Sequence, residues 1–307
     1  MLAAKRVLVI LNPSAGRGKP GSLEAKVREV LDRLGADAEV CRTRDSRDAT
    51  EWAASAARDG FEIVLVAGGD GTVTAAAAGA VRADHRLPLG MIPAGTANGL
   101  ARVLGIPMDP TEAIEALDEG KIVDLDVMRI VGSETVALVF FGAGLDAEIN
   151  RDVGSRSKAR FGFLAYLASG ARNLWGRRNH DVRLELDGVV ENLRAHTVTL
   201  FNGASLELAG VQVGPVVNPH DGLLDVAVLR NPGFWRSVAA VLRLVSGPRG
   251  VGDLKQARHV RLDAEPPLLV HADGDVVSST PLEVEVVPAG LRAIATSDYE
   301  SGGRDAE

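Results

Sequence analysis

Gly68-Gly69-Asp70-Gly71-Thr72 is the densest chemical signal in the chain. It follows the apolar run Ile63–Val66 and leads into a stretch of small residues, Thr72–Val81. Glycines let a backbone approach a polyphosphate closely, and the N–H groups at a helix start offer it positive potential. Asp70 would repel phosphate unless Mg²⁺ lay between them, and Thr72 can bond a phosphate or cap the helix. The plainer reading is a tight strand-to-helix turn with Asp70 and Thr72 as caps. From the glycines alone the two readings weigh the same.

Two further loops tip the balance. Asn12-Pro13-Ser14-Ala15-Gly16-Arg17-Gly18-Lys19 follows the apolar run Val7–Leu11, and Gly95-Thr96-Ala97-Asn98 follows Leu89–Ile92. In a parallel sheet all three loops fall at the carboxyl edge, where ligands bind. None fits G-x-x-x-x-G-K-[ST], and none gives G-x-G-x-x-G with an acid at dinucleotide spacing. A nucleotide site is expected, with neither standard fingerprint.

The elements that must position these loops alternate along the first 124 residues. Leu23, Val27, Val30, Leu31 and Leu34 recur at spacings of three and four and predict a helix, capped by Gly35. Residues 38–41 predict a second strand and 49–58 a second helix. The small residues of 72–81 predict a helix packed closely on its neighbours. This is an α/β domain with a parallel sheet and helices on both faces.

After Asp124 strand-like runs follow one another, at 125–131, 135–140, 182–186, 195–201, 224–229, 260–262, 268–272 and 282–287. They predict an antiparallel β-sandwich domain over 125–300, broken by helices at 161–175 and 235–245, with a frayed tail at 301–307. No Gly/Ser linker separates the domains.

Composition narrows the function. There are 34 Lys and Arg against 41 Asp and Glu, a net charge of −7, which argues against a general nucleic-acid binder. The single cysteine, Cys41, forms no internal disulfide and no Cys-rich zinc site, and the six histidines show no ligand spacing. No apolar run reaches the roughly 20 residues of a membrane span, and the start lacks a signal-peptide pattern. A cytoplasmic protein is expected.

The ordered set NPSAGRG, GGDGT, PAGTAN, GAGLDAE, DGLLD and ADGD resembles the diacylglycerol kinase-type lipid kinases, which include soluble bacterial lipid kinases and the sphingosine and ceramide kinases. GGDGT alone is shared with NAD kinases; the whole set, from Asn12 to about Asp275, is far more specific. The resemblance implies an α/β domain, a β-sandwich, and ATP bound in a cleft between them. It implies that Asn12, Pro13, Gly16, Arg17, Thr43, Gly68, Gly69, Asp70, Gly71, Thr72, Gly95 and Thr96 serve ATP and its Mg²⁺. It further implies a structural Mg²⁺ loop, with the Asp221 carboxylate and backbone carbonyls of Asn218 and Leu223. Without the family, Asp221-Gly222 reads as a turn between strands.

Ala272-Asp273-Gly274-Asp275 matches the family's D-G-E, whose last acid is taken as the general base for the lipid hydroxyl. Here that acid is Asp275, one methylene shorter, with Asp273 as helper or substitute. The plainer reading is a hairpin turn with Asp-Gly at its centre. Thr74 and Ala75 stand where the family often has Asn and Glu. Gly99 replaces an acid of a charge network that would include Arg102, Asp124 and Arg17.

The resemblance implies a lipid acceptor at a membrane surface, with diacylglycerol foremost. Catalytic transfer, a regulatory protein that binds nucleotide or lipid without transfer, and an NAD kinase remain the readings to separate. Basic residues at 151–160 and 172–178 flank the aromatic-rich stretch 161–175, which could rest on the inner membrane face. The plainer reading is a helix packed on the sandwich. The sequence is compatible with a homodimer and does not fix the oligomeric state.

Overall fold

The computed structural model describes residues 1–16, 21–84, 87–144, 179–202, 206–208, 211–213, 217–229 and 255–300. The expected helices at 161–175 and 235–245, the flanking basic clusters and the tail lie outside the described residues. The backbone falls into two compact units, Met1–Val127 joined by the stretch from Val287, and Met128–Val286.

The first unit alternates strand and helix as its apolar spacing requires. β1 (Arg6–Leu11), β2 (Asp37–Arg42), β3 (Ile63–Gly68) and β4 (Leu89–Pro93) are parallel, in the order β2-β1-β3-β4. β1, β3 and β4 are buried almost throughout, as expected of strands covered on both faces. α1 (Ser22–Arg33) ends where Gly35 takes a positive φ of 72°. α2 (Ser46–Ser55) begins three residues before the expected start, because Asp45 accepts hydrogen bonds from the N–H groups of Arg47 and Asp48.

α3 (Asp70–Arg82) packs on α2 as its small residues predict. A Cβ on Gly79 would come within 2.0 Å of the Thr50 carbonyl oxygen. The Thr50 hydroxyl donates to the carbonyl of Ala75 at 2.9 Å, tying the two helices further. α4 (Gly99–Val103) and α5 (Pro110–Asp118) follow; α5 carries an Asp109 cap and Pro at its first position.

β5 (Lys121–Ile130) carries the chain into the second unit, whose sheets are antiparallel throughout. β6 (Val136–Ala137) pairs with the end of β5. β7 (Phe140–Gly144) follows, then β8 (His180–Leu186), β9 (Val189–Ala195) and β10 (Thr197–Phe201). β11 (Leu206–Leu208) and β12 (Val211–Val213) form a separate hairpin. β13 (Leu224–Leu229), β14 (Lys255–Ala257), β15 (His259–Glu265), β16 (Leu269–Ala272), β17 (Asp275–Ser279) and β18 (Leu282–Ala295) complete the chain. Within this unit the first half of β18 joins β15, β8 and β9, and a second sheet runs β14-β13-β10-β7-β16-β17.

Alternate residues of both sheets, among them Phe141, Val182, Leu184, Leu200, Val260 and Val270, form one apolar core. On the other face of the first sheet Arg261 pairs with Glu283 at 3.1 Å and Arg194 with Asp181 at 3.3 Å.

Three expectations need correcting. The stretch 135–140 is two strands rather than one, because the N–H groups of Leu138, Val139 and Phe140 all turn to the Asp273 carboxylate instead of a ladder. The stretch 195–201 divides at His196, where the chain leaves one sheet for the other. The division near Asp124 falls within β5, but the second domain does not run on to residue 300. The end of β18 lies parallel to β4, with Ala293 opposite Leu89, and buries Leu291, Ile294 and Ala295 in the first unit.

Candidate active site

The parallel sheet places four sequence-predicted segments along one edge. Thr43 follows β2, Asn12 follows β1, Gly69–Thr72 follow β3 and Gly95–Thr96 follow β4. The chain starts at β1, moves out to β2 and returns past β1 to β3. The β1/β3 junction is therefore the switch point where such sheets bind ligands. Across it the Asn12 side-chain amide donates to the Thr72 hydroxyl at 3.1 Å. The Asn12 side-chain oxygen accepts from the Ser14 N–H at 2.9 Å and fixes the turn that includes Pro13.

Backbone bonds join the loops to one another. Thr43 N–H donates to Leu11, Asn12 N–H to Ala67, Ala94 N–H to Gly68 and Gly16 N–H to Ala94, all at 2.8–2.9 Å. Gly69 and Gly95 touch backbone to backbone. A Cβ on Gly95 would fall 2.6 Å from the Gly69 Cα. Glycine is thus required at this crossing by loop-on-loop packing, before any ligand is considered. Gly69, the residue before α3, is extended and sets no side chain over the helix start. The start of α3 stands at the switch point, with the Thr72 and Val73 N–H groups both donating to the Gly69 carbonyl, at 3.0 and 3.2 Å.

Asp70 has a structural occupation that was not expected from its motif. One carboxylate oxygen accepts from the Asn98 N–H at 2.8 Å and the other from the Gly99 N–H at 2.5 Å. It therefore caps α4 from the first turn of α3. Asn98, overlooked as a site residue, closes the loop before α4. It takes φ of 49°, which Asn tolerates, while its side chain accepts from Gly95 N–H and donates to Gly95 O. The signal for it was present: an Asn one turn past a Gly-Thr pair can bond its own loop.

Thr43 is buried, and its strand end is braced by Glu24. Glu24 bonds the guanidinium of Arg42 at 2.5 Å and that of Arg28 at 3.0 Å. The Arg42 bond, with the Arg28 contact, holds the Glu24 carboxyl below its ordinary range despite burial.

Of the expected charge network, Arg102 donates to the Ala97 carbonyl at 3.0 Å and so braces the fourth loop. Asp124 lies 3.8 Å from Arg292, a partner the sequence did not suggest because it comes from the far end of the chain. Arg17 lies outside the described residues.

In the second unit Asp273 and Gly274, with φ of 48° and 104°, make the two-residue turn between β16 and β17. Such positive angles are those of the hairpin turn expected from Asp-Gly. The Asp273 carboxylate accepts three backbone N–H groups at 2.8, 2.9 and 3.0 Å. Asp273 thereby clamps the turn to the segment 138–140. Asp275 opens β17 with its side chain exposed.

Asp221 is exposed as well; one of its oxygens accepts from the Leu223 N–H at 2.9 Å, and Asn218 accepts from His220 N–H at 3.1 Å. The set that the resemblance implies, the Asp221 carboxylate and the backbone carbonyls of Asn218 and Leu223, is all oxygen. That chemistry suits a hard divalent cation such as Mg²⁺. Among the described residues no three His, Cys, Asp or Glu side chains gather as a metal cluster, and no helix is long and apolar enough to cross a membrane.

Comparison with known proteins agrees with both units. Residues 6–130 match the diacylglycerol kinase catalytic domain, and residues 139–295 match the YegS C-terminal NAD kinase beta sandwich-like domain. The diacylglycerol kinase of Bacillus subtilis is 28% identical over 286 residues, covering 91% of this chain and 92% of that protein. A Mycobacterium tuberculosis diacylglycerol kinase is 28% identical, covering 94% of each. The crystal structure of a diacylglycerol kinase from Bacillus anthracis superposes with a TM-score of 0.78 at 26% identity, covering 95% of this chain and 97% of that one. With its α/β unit, its antiparallel unit and the ordered motifs on them, the chain belongs to the diacylglycerol kinase-type family of bacterial lipid kinases.

Proposed function

We propose that this protein transfers the γ-phosphoryl group of ATP to the hydroxyl of a lipid, with diacylglycerol the foremost acceptor. The observation that carries the reading is the junction of loops at the β1/β3 switch point, held by the Asn12–Thr72 bond and the Gly69–Gly95 contact. In this reading the glycine-rich backbone around 68–72 and 95–96 holds the nucleotide phosphates. Thr43 serves the nucleotide beside it. Asp70 sets the fourth loop through Asn98 and Gly99, and its carboxylate is the one placed among these loops that Mg²⁺ would meet. Mg²⁺, when bound, would neutralise phosphate charge, the main demand of phosphoryl transfer. Asp221, Asn218 and Leu223 would hold a second, structural Mg²⁺.

Asp275 accepts the proton of the acceptor hydroxyl as its oxygen bonds to the γ-phosphorus. The bond from that phosphorus to the β–γ bridging oxygen breaks, and ADP leaves with its electron pair. A general base must come within hydrogen-bond reach, and the exposed Asp275 carboxylate is open to an incoming hydroxyl. Asp273 holds the turn that presents it.

Labelled ATP offered with diacylglycerol, sphingosine, ceramide, an isoprenoid alcohol and NAD tests the reading. The expected result is label in the diacylglycerol product. ATP binding with no labelled lipid would favour a regulatory role, and labelled NADP would favour an NAD kinase.

A further inference from the structure

β17 is the outermost strand of its sheet, and its pairing with β16 slips by one residue. Val270 lies opposite Ser278 and His271 opposite Val276, which leaves Val277 without an opposite residue. The slip is a β-bulge, a device that re-aims side chains and is common at sheet edges and beside active sites. Val276 and Val277 are 48% and 39% exposed, two of the few large apolar side chains so placed among the described residues. They directly follow Asp275.

Edge protection explains the bulge but not the valines. A bulge blunts pairing with other chains, and the residues that normally accompany it on an edge are charged or Pro. Here two β-branched apolar residues stand in water instead. A lipid hydroxyl at Asp275 brings hydrocarbon with it, and that hydrocarbon needs an apolar surface beside the carboxylate. The bulge supplies one at the adjoining positions.

We propose that Val276 and Val277 form the apolar contact for the acceptor's long acyl chains where they pass Asp275, and so favour a long-chain lipid over a short-chain, water-soluble acceptor. This rests on the lipid-acceptor reading with Asp275 as base.

The test compares wild type with Val276→Thr/Val277→Thr, which keeps side-chain shape and β-branching. A long-chain diacylglycerol in mixed micelles and a short-chain, water-soluble diacylglycerol serve as acceptors. The expected result is a KM for the long-chain acceptor raised about tenfold, as for the loss of one to two buried methyl groups. The kcat, the ATP affinity and the short-chain KM should stay unchanged. Val276→Ile/Val277→Ile should keep the wild-type preference, and the single Thr variants serve if the double variant does not fold. An unchanged long-chain KM would overturn the contact while leaving the lipid kinase reading intact. So would an equal loss with both acceptors, since that is damage to Asp275. A wild-type protein that labels no lipid at all would instead remove the reading on which the contact rests.

Discussion

Asp273 gives its carboxylate to three successive backbone N–H groups, whereas Asp275, two residues on, keeps its own exposed. The sequence pointed to this pair only through its likeness to a family motif, and it left open which acid was the base. The hydrogen bonds give Asp273 a structural task that no local pattern could have revealed, because Leu138–Phe140 lie more than 130 residues away. Asp273→Ala leaves three donors without their acceptor and is expected to lower stability on the order of 3 kcal/mol. Denaturant unfolding of that variant, read against Asp275→Ala as a surface control within about 0.5 kcal/mol of wild type, checks the division of roles. Asp70 carries the same lesson. Its motif suggested a cation ligand, and the structure adds that it caps α4 through Asn98 and Gly99.

At the scale of elements, local pattern was most legible where burial is simplest. The apolar runs of β1, β3 and β4 read directly as covered strands, and the small residues of α3 read as close packing. Gly79→Ala should cost on the order of 1–3 kcal/mol, as overpacking does, because its Cβ would meet the backbone of α2 and no side chain can rotate away. Thermal or denaturant unfolding would show it. β18 was less legible. It alternates beside β15 and ends in the run Ala293–Ala295, buried throughout, beside β4, but neither pattern names the partner strand, so the sequence could not reveal that it serves both units.

β16 carries a further test. Burial lowers the His271 imidazole from 6.5 to about 4, and its ring stands edge-on to Phe140 at 5.1 Å. The unfolded chain takes up this proton near pH 6.5 and the folded chain only near pH 4. The neutral ring therefore gives its full share of stability above pH 6.5, and that share falls away as the pH drops toward 4. The loss is about 3 kcal/mol for this one group. Unfolding free energies measured from pH 7 to 4 should fall less steeply in His271→Leu than in wild type.

For the molecule as a whole, composition excluded more than it identified. A net charge of −7 and a lack of long apolar runs left a globular protein of two domains, without saying what the domains do. The ordered motifs supplied the family. Three of them, at Asn12, Gly68 and Pro93, meet along one sheet edge, and the last forms the turn before β17. The acceptor was not legible, because apolar contacts such as Val276 and Val277 have no motif.

Transfer of label from ATP to diacylglycerol in mixed micelles, run with wild type and Asp275→Asn, tests the central claim most directly. The expected result is labelled lipid from wild type and a loss of at least about a hundredfold in the variant, with equal ATP affinity and unchanged unfolding. Equal labelling by both proteins, or ATP binding by wild type with no labelled lipid, would contradict it.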